Sequence, residues 1–149
     1  MASDFYNPFQ TSELRLPRKF RERIDGLMSR GNDLPRRETP FGKYVDFWFL
    51  AACVAIHDDV KVEELNEELQ DTWRFEFGTV LLSGKNRIAL MEIVGKGILE
   101  NSQATPNEIA RLFNTYAAVG TEKLITEIEN GGEDSAPLWI LLDYIKSAL

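Results

Sequence analysis

Apolar residues recur along this chain at helical spacing, and the pattern sets out about six helices joined by short loops. Phe20, Ile24, Leu27 and Met28 stand at i, i+4, i+7 and i+8 after Pro17, which predicts a helix over 17–30. Residues 31–40, with Gly31, Pro35 and Pro40, read as a loop. From Phe41 to Ile56 runs the most apolar element, its residues 47–56 apolar without interruption. A helix apolar all round is normally buried on every side, so 41–56 is the expected central helix. Ile88, Met91, Val94 and Ile98 define a further helix over 86–100, where Gly95 and Gly97 each cost about 1 kcal/mol unless another helix packs closely there.

Thr105-Pro106-Asn107-Glu108 combines a Thr cap, a Pro at the first helical position and a Glu three residues after the cap. That is a specific helix start, continued by Ile109, Leu112, Phe113 and Tyr116 on one face. Gly120 is expected to break or end this helix, and Leu124, Ile125 and Ile128 to carry another up to Gly131-Gly132. Ser135 then caps a last helix whose Leu138, Leu141, Leu142, Ile145 and Leu149 share a stripe. Between residues 60 and 82 the pattern is mixed. Val62, Leu65 and Leu69 fit a short acidic helix, whereas Trp73, Phe75 and Phe77 alternate with Arg74 and Glu76 and suggest an extended stretch. The expectation is an all-α domain over 13–149, with a short strand or hairpin near 73–82, preceded by an arm over 1–12 that holds Phe5, Tyr6 and Phe9.

Composition narrows the class. The 149 residues are 44% apolar and 11% aromatic, which argues against disorder and for one domain. A single cysteine, Cys53, forbids an intramolecular disulfide, and with the single histidine, His57, it cannot make a Cys/His zinc site. No N-terminal stretch reads as a secretion signal, and a ten-residue apolar run is about half of the roughly 20 needed to cross a bilayer, so a cytoplasmic protein without membrane contact is expected. The formal charge of −7 divides unevenly. Residues 1–43 hold nine Lys/Arg and six Asp/Glu, a net of +3, and residues 44–149 hold eight and eighteen, a net of −10.

Catalytic signatures are scarce. There is no Gly-rich phosphate loop, no GxSxG and no HExxH. His57 beside Asp58 and Asp59 suits a helix end, and Cys53 inside the apolar run reads as a small hydrophobe. Asp46 with Asp59-Val60-Lys61 echoes the acid and acid-x-Lys order of metal-dependent nucleases, but Asp46 opens a helix where those enzymes use strands. No enzyme activity, metal or cofactor is expected.

Two binding readings remain. Lys19, Arg23 and Arg30, with Arg36 and Arg37 on the loop, form a basic surface able to meet DNA or an acidic partner. Leu14-Arg15-Leu16 followed by two helices follows the order of a ribbon-helix-helix dimer, the DNA-binding alternative. The other reading is a protein-interaction module that also offers acidic helices at 62–71 or 122–134, with Trp73 and Trp139 as candidate anchors. The oligomeric state is left open, a homodimer included.

Arg15-Leu16-Pro17-Arg18-Lys19-Phe20, then Phe41-Gly42-Lys43-Tyr44-Val45-Asp46 leading into Phe49-Leu50-Ala51-Ala52, resembles the DNA phosphorothioation (dnd) system-associated protein 4 family. Glu108-Ile109 through Tyr116-Ala117 and Gly120, then Leu124 and a helix from Pro137-Leu138, is similar to that family's closing half. The resemblance implies an accessory protein of a bacterial antiviral defence locus, linked to DNA modification and restriction and acting with protein partners. It brings no catalytic residues.

Overall fold

The computed structural model describes residues 7–29, 34–58, 71–83, 85–131 and 136–148. Among them are five α-helices and two strands: β1 (Glu13–Pro17), α1 (Arg21–Asp25), α2 (Tyr44–His57), β2 (Thr72–Phe77), α3 (Lys85–Ile98), α4 (Pro106–Asn130) and α5 (Pro137–Ala148). The molecule is thus mostly helical, with a small sheet in place of an all-α fold. Val62, Leu65, Leu69 and Ser135 lie outside the described residues.

β1 and β2 pair antiparallel, Leu16 opposite Trp73 and Arg15 opposite Arg74, with a bulge between Leu14 and Arg15 that leaves Phe75 without a partner in the register. Leu14 and Leu16 turn into the core while Glu13 faces solvent, as alternation requires. Asn114 of α4 occupies the other edge of β1. Its Oδ1 accepts from the Arg15 N–H at 2.9 Å, and its Nδ2 donates to the Glu13 carbonyl at 2.9 Å. The same Oδ1 accepts from Nε1 of fully buried Trp48 on α2, also at 2.9 Å. One buried amide therefore joins the sheet to both central helices, and none of its three partners is left unpaired.

Phe20, Ile24, Leu27 and Met28 are all buried, as their spacing predicts, yet the helix expected over 17–30 is a 3₁₀ turn, Arg18–Phe20, followed by α1. Phe41 ends it early. Its N–H donates to the Leu27 carbonyl at 3.2 Å and its carbonyl accepts from Ser29 N–H at 2.8 Å, so these backbone groups no longer serve a helix.

α2 and α4 form the centre of the fold. A Cβ on Gly120 would lie 1.7 Å from the Ala51 carbonyl oxygen, so the two backbones touch there, with Ala52, Ala55 and Ala117 also buried. α4 consequently runs through Gly120 without a break, which corrects the expected pair of helices to one. The capping box at its start forms as the sequence predicts: Glu108 N–H donates to Thr105 Oγ1 at 3.2 Å, and Thr105 N–H to Glu108 Oε1 at 3.1 Å. α3 crosses α4 where a Cβ on Gly95 would meet Ile109 Cγ2 at 2.6 Å. α2, expected to be buried on every side, is not: Phe49, Leu50, Cys53 and Ile56 are only partly covered.

Candidate protein-interaction surface

The basic residues of the N-terminal third are placed by the 3₁₀ turn and α1. Lys19 Nζ stands 5.1 Å from the Phe20 ring centre and the Arg23 guanidinium 5.6 Å from the same ring, so these two cations converge. Arg23 also pairs with Glu129 of α4 at 3.2 Å. Arg36 donates from Nη1 to Ser29 Oγ at 3.1 Å, and the Arg37 carbonyl accepts from Leu138 N–H at 2.9 Å, which ties the loop to the start of α5. Arg30 lies outside the described residues. Arg18 and Arg21 each have an acid four residues on, Glu22 and Asp25, yet the contacts they make are longer-range. Arg18 reaches Asp71 at 3.4 Å, Arg21 lies 4.9 Å over the Trp73 ring, and Asp25 accepts from the Tyr44 hydroxyl. Exposed pairs of this kind contribute little stability and are screened by salt.

Both edges of β1 are occupied, one by β2 and one by Asn114. The ribbon-helix-helix arrangement needs that strand to pair with a second chain in the groove of DNA, so this form of the DNA-binding alternative does not fit.

The two tryptophans expected as anchors separate. Trp73 is buried, edge-on to Tyr44 at 5.9 Å, and belongs to the core. Trp139 is 54% exposed on α5, and Leu142, one turn on and expected in the core stripe, is 38% exposed. α5 packs instead through Leu141, and Ile140 lies on the surface that the missing side chain of Gly131 leaves open, 2.3 Å from where a Cβ would be. Asp143 and Lys146 border the Trp139 face. Tyr144, on the packed side, donates to Asp58 at 3.4 Å, and its hydroxyl pKa is pushed up, first by burial and then by Asp58 and Glu127. The acidic stretch expected at 122–134 is, to Asn130, the last part of α4; that at 62–71 lies, but for Asp71, outside the described residues.

Clefts open around α2 among the described residues. One, about 400 Å³, lies between Tyr44, Val45, Phe75, Val80 and Met28, with Lys43 and Glu76 also lining it. A second, about 230 Å³, separates α2 from α3 over Phe113 and is walled by Phe49, Ile56, Leu90 and Val94. The third, about 130 Å³, lies between α2 and α5 against Tyr144 and Ile145. Cys53 lines the second and third. Burial pushes its thiol pKa up, against a smaller opposing effect of Arg87, which keeps it protonated at neutral pH. Asp46 is bound to Arg87 at 2.9 Å; Asp59 and Lys61 lie outside the described residues. Asp58 meets Lys123 at 3.2 Å and His57 at 3.6 Å. Among the described residues, no three His, Cys, Asp or Glu side chains are grouped so as to hold a metal ion, and no helix is long and apolar enough to cross a membrane.

No family model, curated protein or solved structure matches this chain.

What the geometry offers is surface. Outside the core, α5 presents Trp139 and Leu142, and α3 presents Leu90 and Ile93, all more than a third exposed. In the sequence the α5 pair is half legible: Trp139 stands out as an aromatic, while Leu142 falls in the expected core stripe. The α3 pair lies outside the expected sites. Its signal was present in the sequence: apolar residues at 90 and 93 exceed what one buried face, already filled by Ile88, Met91 and Gly95, can hold.

Proposed function

We propose that this protein is a non-enzymatic accessory component of a bacterial DNA-modification or restriction assembly, working in the cytoplasm through protein–protein contacts. The observation that carries the reading is the outer face of α5, where Trp139 and Leu142 stand exposed one helical turn apart beside Asp143 and Lys146. A large aromatic set among polar neighbours is the composition of an interface hot spot, worth about 2 kcal/mol or more when it fills a partner's pocket. The ordered packing motifs that resemble the dnd-associated family support the choice of setting. Against nucleic acid as the main ligand, Arg23 is paired with Glu129 and also shares the Phe20 ring with Lys19.

Co-expression with the products of the adjacent genes tests this. The expected result is a complex that survives charge reversal at Lys19, Arg23, Arg36 and Arg37 and is lost in Trp139→Glu. DNA retention at low salt that weakens steeply with added salt and vanishes on the charge reversal would instead make DNA the ligand.

A further inference from the structure

α3 carries two glycines in opposite surroundings. Gly95 is required where the helix crosses Ile109, whereas a Cβ on Gly97 would meet no atom within 4 Å. Gly97 stands in the last turn of α3, and none of the described contacts uses the space beside it. Ala89, Leu90 and Ile93 share that outer side, Leu90 48% and Ile93 72% exposed. No charge lies among them. Arg87 is bound to Asp46, while Glu92 and Lys96 stand together on one flank with no ion pair among the described residues.

We propose that a second copy of this chain packs on this face, the two α3 helices antiparallel across a two-fold axis near Ile93. Antiparallel pairing about that point sets Leu90 of each copy over Gly97 of the other, a projecting side chain above an open backbone. The same operation runs the Glu92 end of one flank along the Lys96 end of the other, so opposite charges meet twice. A two-fold contact must be its own complement, and this face holds both halves of each match. The 14-residue helix spans about 21 Å. One such helix pair falls short of a standard interface, so the dimer is weak and reversible.

Sedimentation velocity over a concentration series tests the proposal. Wild type should rise from 17.0 kDa toward twice that mass, and Ile93→Glu, a change at an exposed position, should remain at 17.0 kDa with its far-UV spectrum unchanged. In a Cys53→Ser background, Leu90→Cys with Gly97→Cys should oxidise to a dimer in which residue 90 of one chain is joined to residue 97 of the other. A wild type that stays monomeric at several hundred micromolar overturns the proposal, as does a dimer indifferent to Ile93→Glu or cross-linked only between identical positions. Capture of a partner through Trp139 is independent of these outcomes, so the two readings fail separately.

Discussion

The seam between α2 and α4 and the outer face of α3 are built from the same residue types, alanine, glycine and large aliphatics, and they behave in opposite ways. In the seam, Gly120 brings one helix backbone onto the Ala51 carbonyl, and the alanines around it are buried. On α3, Gly97 opens onto empty space and Ile93 beside it is mostly exposed. A small residue in a helix allows another backbone to come close. In the seam the chain supplies that neighbour itself; on α3 the described residues do not.

Substitutions can break the seam and sharpen the contrast. Gly120→Ala should have the largest effect, because the added Cβ meets backbone and not a flexible side-chain end. A loss of about 3 kcal/mol is expected, seen as a lower urea midpoint at unchanged slope. Next comes Asn114→Leu, which leaves the Arg15 N–H, the Trp48 indole N–H and the Glu13 carbonyl without their partner. A cost of roughly 2 kcal/mol is expected, with faster amide exchange at Arg15 than elsewhere in β1.

Thr105→Ala should cost about 1 kcal/mol at neutral pH by removing the cap of α4. Hydrogen bonds from the Thr105 backbone and then its side chain hold the Glu108 carboxyl below the usual glutamate range. A carboxyl lowered by folding stabilises the fold fully above its unfolded pKa, and the contribution is lost as pH falls through the folded value. The stability gap between wild type and Glu108→Gln should therefore be constant near neutrality and close in acid. A gap that widens in acid would contradict the capping role. The smallest effect belongs to Gly97→Ala, with a sign opposite to Gly120→Ala. With no clash to meet, it should stabilise the monomer by about 0.5 kcal/mol; destabilisation would show that the space at Gly97 is used within the chain.

Local signals were legible in the sequence. Thr105 to Glu108 announced a helix start because cap, proline and glutamate act within four residues, and the uninterrupted apolar run fixed α2. The alternation at Trp73, Phe75 and Phe77 correctly marked an extended segment. Its pairing with β1 was not legible, since register depends on Leu16 meeting Trp73 across more than fifty residues and on the far edge being held by Asn114, a polar residue in an apolar stripe. Gly120 reads as a helix end for a related reason: its cost in an isolated helix is local, while the contact with Ala51 that offsets it is tertiary. The basic stripe shows the limit of spacing alone. Lys19 and Arg23 do share a surface, but α1 is too short to line up the whole set, and acids distant in sequence, Asp71 and Glu129, pair with Arg18 and Arg23.

The difference between the seam and the open face rests most directly on the mass and melting temperature of Gly97→Leu, measured beside wild type at a concentration where wild type associates. The account predicts a variant of 17.0 kDa that melts no lower than the wild-type monomer, because the new side chain fills space in the fold that is empty and blocks approach of a second helix. A variant that associates as wild type does, or that unfolds, would contradict it.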